Sequence, residues 1–228
     1  EYVTLNGVYK IETQILKFDQ PNYILEQLAD SNNIVSENMP LLGLTDNETF
    51  IADRRVWENL EHQIEIARAA DRNQLAKKLS SIVSDLQKKT YPDLNISTIR
   101  SKMQGDFLLF NNDGNFANPG TAIGGVFDFD KSYILVTEFP PDKRMKKKLK
   151  PDQTGTATLK LSALESVNVP VVLKTLTDST AELTVTDLTL EDKLKVARFL
   201  GGLKKGEKVS ASINVLVGWK SWMRLIWR

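Results

Sequence analysis

The chain alternates between two hydrophobic rhythms. Residues 1–50 carry short runs in which apolar and polar positions alternate, LNGVYKIETQI, NYILEQL and NIVSENMPLLGL, each broken by Asn, Gly or Pro. That is the pattern of strands with one buried face. From residue 51 the rhythm changes. No Gly or Pro occurs until Pro92, and Val56, Leu60, Ile64 and Ala67 recur at helical spacing. Leu75, Leu79, Ile82, Val83 and Leu86 do the same. Asp71-Arg72-Asn73 separates the two stripes, so residues 51–94 read as a helical hairpin in which each helix has one apolar face. A single continuous helix is the other reading, since nothing at 71–73 strictly breaks it. After Pro92 the strand rhythm returns in FLLF, TAIGGVFDF and SYILVTEF. It returns again in TATLKLSAL, VPVVLKTL, AELTVTDL and VSASINVLVGW. One more helix is expected near 190–203, in LEDKLKVARFLGGL, with Gly201-Gly202 as its C-cap.

The order of these segments carries an inference. Neither residues 1–50 nor 95–128 hold enough strands to bury a core alone, so the two stretches must pair across the hairpin between them. They also share an outline. A polar turn precedes Val35 or Phe116, a second turn follows at Glu37-Asn38 or Pro119-Gly120, and an apolar run resumes at Leu41 or Ile123. Matching Val35 to Phe116 needs a one-residue gap. Pro119-Gly120 suits a type II turn, and Asn38 is a residue that tolerates the same left-handed position.

Gly105, Gly114, Gly120, Gly124 and Gly125 crowd one region, which raises the question of a phosphate or metal loop. GTAIGG does not match GxxxxGK[ST] and precedes no helix. NNDGN lacks the spacing and the closing Glu of a calcium loop. Asn38, Gly114, Pro119 and Gly120 are therefore read as turn-forming residues, and no cofactor is expected.

Composition narrows the function classes. The 30 basic and 29 acidic residues nearly cancel, which argues against nucleic acid as a partner. Cysteine is absent, removing disulfides, thiolate metal sites and a cysteine nucleophile. Catalysis would need a nucleophile with a nearby base. The one histidine, His62, falls on the hairpin as a solvated helix residue. Asp128 and Asp130 share a strand face at i,i+2 spacing without a visible acid–base partner. Asn47-Glu48-Thr49 and Asn95-Ile96-Ser97 match glycosylation sequons. No run of eighteen apolar residues occurs.

Two charged features stand out as candidate contact surfaces. The first is the basic run Lys143, Arg144, Lys146, Lys147, Lys148 and Lys150, with Met145 and Leu149 spaced to tuck inward. It suits an anionic membrane or partner surface, or a solvated loop. The second is the tail, where Trp219, Trp222 and Trp227 interleave with Arg224. Such a segment suits a membrane interface or packing against a subunit.

The segments together resemble the periplasmic adaptor, or membrane fusion protein, family of the haemolysin-secretion D (HlyD-like) type. Val35-Ser36-Glu37-Asn38-Met39-Pro40-Leu41 stands where that family has V-K-x-G-D-x-L, with Asn38 in place of glycine. Ile99, Gly105, Gly114, Phe116, Gly120 and Ile123 follow its second half-motif to Val126 and Asp128. Ser101-Lys102 replace its Ala-Pro pair. Tyr133 to Glu138 and Leu149-Lys150-Pro151-Asp152-Gln153 resemble the opening of its barrel, with Asp152 for a usual glycine. LKKGEKVSASINVLVG resembles its closing strand.

The resemblance implies a mainly β fold with an inserted α-helical, coiled-coil hairpin. Residues 1–50 and 95–128 would form a lipoyl-like sandwich (a barrel-sandwich hybrid), 51–94 the hairpin, and 129–228 a β-barrel-like domain. It implies a non-enzymatic periplasmic protein joining an inner-membrane transporter or synthase to an outer-membrane component for secretion, efflux or polysaccharide export. It further implies a homo-oligomer, anchored to the inner membrane by a segment absent from this chain. The hairpin is short for direct docking on an outer-membrane channel and fits assembly among adaptors better. Two other classes remain at this point. One is a ligand-binding barrel of the PilZ type, whose arginine arm and [DN]-x-S-x-x-G pattern do not occur together here. The other is an α+β enzyme domain.

Overall fold

The computed structural model describes residues 1–89, 91, 94–110, 115–141, 143–204 and 206–218. In chain order, five strands come first: β1 (Tyr2–Lys10), β2 (Thr13–Lys17), β3 (Asn22–Gln27), β4 (Ile34–Val35) and β5 (Pro40–Thr45). Two helices follow, α1 (Glu48–Ala69) and α2 (Asn73–Gln87). Next are β6 (Ser97–Arg100), β7 (Gly105–Leu109), β8 (Phe116–Ala117) and β9 (Ala122–Phe127). The remainder is β10 (Tyr133–Glu138), α3 (Lys143–Lys146), β11 (Thr154–Lys160), β12 (Ser166–Leu176), β13 (Ala181–Val185), α4 (Leu190–Gly202) and β14 (Ser210–Leu216). The fold is mainly β, with an inserted helical hairpin, a barrel-sandwich layer and a closed six-stranded barrel.

Two four-stranded sheets, β2-β9-β7-β4 and β6-β5-β3-β8, each take strands from both sides of the hairpin. Their inner faces share one core. Leu16, Val35, Phe107 and Val126 come from one sheet, and Leu41, Leu42 and Leu44 from the other. The two strand orders map onto each other when β2 is exchanged with β6, β9 with β5, β7 with β3 and β4 with β8. This is an internal two-fold relation that interleaves the halves.

The relation extends to the turns. Between β4 and β5 the Met39 amide donates to the Ser36 carbonyl at 3.2 Å, and the Asn38 amide donates to Ser101 at 2.8 Å. Between β8 and β9 the Thr121 amide donates to the Asn118 carbonyl at 3.2 Å, and Gly120 donates to Phe18 at 2.8 Å. Asn38 and Gly120 take φ of +67° and +72°. Asn38 therefore occupies the conformation for which glycine is the usual choice. Asp152 does the same at +65°. The gapped match of Val35 to Phe116 is corrected: Val35 corresponds to Ala117, with no gap, because those two face the core and Phe116 does not.

The barrel runs β1-β10-β13-β12-β11-β14 and closes on itself. Alternate residues line its interior, among them Val3, Leu5, Val169, Leu183 and Ile213. The first strand departs from the reading of residues 1–50. β1 pairs from Tyr2 to Val8 with β14 and also with β10, so it belongs to the barrel rather than to the sandwich. The reason is closure: without β1, the edges of β10 and β14 would be left unpaired.

Helix α4 packs on β9 and joins barrel to sandwich. Lys193 on α4 pairs with Asp106 of β7 at 2.9 Å, with both side chains largely shielded. Gly201 lies inside α4, and Leu203 is the cap. Its lack of a side chain serves close packing, because a Cβ there would sit 2.8 Å from the Phe110 ring. The expected glycine C-cap is therefore a packing glycine.

Candidate functional site

The hairpin begins at Asn47, whose side-chain oxygen accepts the Phe50 amide at 2.9 Å and caps α1. That cap starts the helix three residues before the expected 51, at Glu48. Asn47 of the first sequon is thus a structural cap. The 22 residues of α1 make a rod roughly 33 Å long. The chain reverses at Asp71, with φ of +55°, and the Arg72 amide donates to the Ala67 carbonyl at 2.8 Å. So 71–73 does break the helix, and the single-helix reading is set aside. The seam between α1 and α2 is narrow. Ile64, Ala67, Ala76 and Val83 are buried in it, flanked by Trp57, Leu60 and Leu79. Val56, Ile66, Leu75 and Ile82 are instead 44–55% exposed. The apolar stripe read from the sequence is thus divided between a seam and an uncovered outer surface.

The root of the hairpin is a cluster that the sequence reading did not find. Tyr23 on β3 meets Phe50 of α1 and Phe116 of β8 edge to face, with ring centroids 5.4 and 5.0 Å apart. Phe50 meets Tyr91 in the same way at 5.0 Å. The Arg54 guanidinium lies 4.0 Å from the Trp57 ring and donates to the Tyr23 hydroxyl at 2.8 Å. That hydroxyl donates to Glu58 at 3.2 Å, and Asn115 donates to it at 3.3 Å. Asp53 accepts from Lys89 at 2.7 Å and from Tyr91 at 2.5 Å, tying the end of α2 to the start of α1. Lys89 and then Tyr91 hold the Asp53 carboxyl below the usual carboxylate range. Burial, reinforced by the hydrogen bond to Asp53 and its charge, pushes the Tyr91 phenol up to about 12. A cavity of about 190 Å³ lies here, lined by Phe50, Arg54, Trp57, Leu86 and Tyr91 among others. Phe50, Arg54 and Trp57 follow i, i+4, i+7 spacing, a signal that was present in the sequence.

The other singled-out residues are dispersed. Met145 and Leu149 pack against the barrel core, as their spacing suggested. Lys146 donates to the Asp178 carbonyl and stacks 4.6 Å from Phe139. Lys148 pairs with Glu1, and the Lys150 amide donates to Gln153 at 2.8 Å. Arg144 and Lys147 are exposed on the same stretch, and Lys143 opens α3. Trp219, Trp222, Arg224, Trp227 and Gly114 lie outside the described residues. Pro119 and Gly120 form the turn already given.

Asp128 caps the short 3-10 turn Phe129–Lys131, accepting the Lys131 amide at 3.1 Å and pairing with its ammonium at 2.8 Å. Asp130 lies within that turn and is exposed, so the two carboxylates do not share a strand face as their spacing suggested. His62 lies on the hairpin, 3.9 Å from Glu65, with a 73% exposed side chain. Among the described residues no group of three or more His, Asp or Glu is placed to hold a metal ion. Nor is any helix among them long and apolar enough to cross a membrane.

No protein-family model matches the chain, and no curated protein matches it by sequence. Solved structures are similar in outline. ZneB from Cupriavidus metallidurans matches at 12% identity and a TM-score of 0.37, over 95% of this chain and 100% of that one. The periplasmic adaptor protein EmrA matches at 10% identity and 0.37, over 95% and 99%. The membrane fusion protein Spr0693 from Streptococcus pneumoniae R6 matches at 14% identity and 0.33, over 95% and 100%. All are remote likenesses.

Proposed function

We propose that this chain is a non-enzymatic adaptor that works by contact. Its hairpin is the outward docking element, and its barrel faces an inner-membrane transporter or synthase. The observation that carries this reading is the placement of the hairpin. It is inserted between two halves of one sandwich, clamped at its root by Tyr23, Arg54 and Asp53, and left with Val56, Ile66, Leu75 and Ile82 uncovered. Four apolar side chains on a polar helical rod are chemistry suited to a protein partner, and the root holds that surface in a fixed direction. In this reading the protein is periplasmic, held at the inner membrane, and assembles with copies of itself. It serves secretion, efflux or polysaccharide export toward an outer component. Basic residues 143–150 and the Trp-Arg tail are the membrane-side contacts.

A photo-crosslinking amino acid at Ile66, Leu75 or Ile82, in cells making the protein, tests this. Discrete protein adducts at these positions, absent from Leu164 on the barrel, are expected. Adducts that form equally at Leu164, or at none of the hairpin positions, would overturn the reading.

A further inference from the structure

The outer face of the barrel carries a second surface of different chemistry. Three consecutive outward positions on each of β1, β14, β11 and β12 form a continuous plate. In one row Thr4 stands opposite Asn214, Asn214 opposite Thr156, and Thr156 opposite Pro170. In the next, Asn6, Ser212, Thr158 and Asn168 follow in the same register. The border row pairs Tyr2 with Leu216 and Thr154 with Val172. None of these twelve side chains is charged. In a chain with 26% charged residues, about three charges are expected among twelve positions.

The polar groups of the plate are arranged. Thr4 Oγ1 donates to Asn214 Oδ1 at 2.8 Å, and Thr158 Oγ1 donates to Asn168 Oδ1 at 2.7 Å. Each bond occupies an amide oxygen and leaves the amide NH₂ with no partner among the described residues. The plate therefore offers fixed donors beside hydroxyls that both donate and accept. At its border a groove of about 560 Å³ runs between Tyr2, Thr154, Thr156, Asn214 and Leu216. Tyr2 is 61% exposed there, a flat aromatic face with a polar tip.

We propose that this face binds a neutral glycan chain. A sugar presents alternating C–H faces and hydroxyl rims. The ring of Tyr2 and the side chain of Leu216 take the former, and the Asn and Thr grid takes the latter. An ionic ligand finds no counter-charge on the plate, and a purely apolar one would strand the amide donors. The closed barrel supplies rigidity, so the grid is ordered before the ligand arrives. The inference rests on this face alone and holds whether or not the hairpin engages a partner.

The test uses the 228-residue chain with cellohexaose and maltohexaose, read by amide NMR shifts and calorimetry. At least one oligosaccharide should shift the amides of Tyr2, Thr154, Thr156 and Asn214. Its affinity should be unchanged between about 0.1 M and 1 M salt, over which the Debye length falls from about 10 Å to about 3 Å. Tyr2→Ala should weaken binding about fivefold to tenfold. Thr156→Lys, an exposed change that leaves the barrel interior untouched, should abolish it, and Lys174→Ala, outside the plate, should not change it. Absence of shifts with both sugars would overturn the proposal. So would binding that survives Tyr2→Ala and Thr156→Lys, that is lost with salt, or whose amide shifts fall on residues 143–150 instead of the plate.

Discussion

The barrel and the hairpin solve the problem of stability in opposite ways. The barrel closes six strands on a continuous interior, and residues such as Leu159, Leu183 and Ile213 have no exposed surface. The hairpin buries four side chains in its seam, two of them alanines, and leaves four larger ones outside. A two-helix unit with so small a seam draws much of its order from its attachment. Here the attachment is the cluster around Tyr23, Arg54 and Asp53. The barrel and sandwich are a platform, and the hairpin is a separately adjustable arm whose direction is set at one end.

Changes that ought to separate the two regions follow in order of size. Leu183→Ala inside the barrel should cost about 2–5 kcal/mol and lower the main denaturant transition, because the cavity it leaves cannot collapse. Tyr23→Phe removes the acceptor for Arg54 and the donor to Glu58. It should cost about 1–3 kcal/mol, felt as faster amide exchange in α1 with the barrel unaffected. Val83→Ala thins the seam by two methyl groups, and about 1–2 kcal/mol should appear in the hairpin alone, read by helical circular dichroism on heating.

Smaller effects test the turns and the root. Asn38→Gly should stabilise the sandwich by up to about 1 kcal/mol, since glycine adopts φ of +67° without steric cost. Gly120→Ala should cost a similar amount through φ alone, because a Cβ there meets nothing within 4 Å. Acid should loosen the root. The Asp53 carboxyl is held below its unfolded value, so its contribution is fully present above that value, near 3.9, and is lost as pH falls through the lower folded one. The protection of α1 amides, taken relative to their intrinsic exchange rate at each pH, should therefore fall below about pH 3.9 in the native protein and not in Asp53→Asn.

Much of the fold was legible in the chain. The change of period at residue 51, and the absence of Gly and Pro to Pro92, announced the hairpin; Met145 and Leu149 announced their own burial. The place of β1 was not legible. YVTLNGVYK alternates like the sandwich strands, and only its pairing with β14, some two hundred residues later, reveals the barrel. The half-repeat was misaligned by one because Phe116 is the more hydrophobic of two neighbours, whereas Ala117 faces the core. The root escaped notice because it joins residues from one helix, a strand before it and the segment after α2. Periodicity within any single element cannot show such a union.

The central claim is that the hairpin is a distinct arm held at its root, and hydrogen exchange resolved along the chain tests it most directly. The account predicts that α1 and α2 exchange faster than β11, β12 and β14 in the native protein. It also predicts that Tyr23→Phe or Arg54→Ala accelerates α1 and α2 while leaving the barrel strands at their original rates. Hairpin amides protected to the same level as the barrel, or a uniform acceleration of both regions by either substitution, would contradict it.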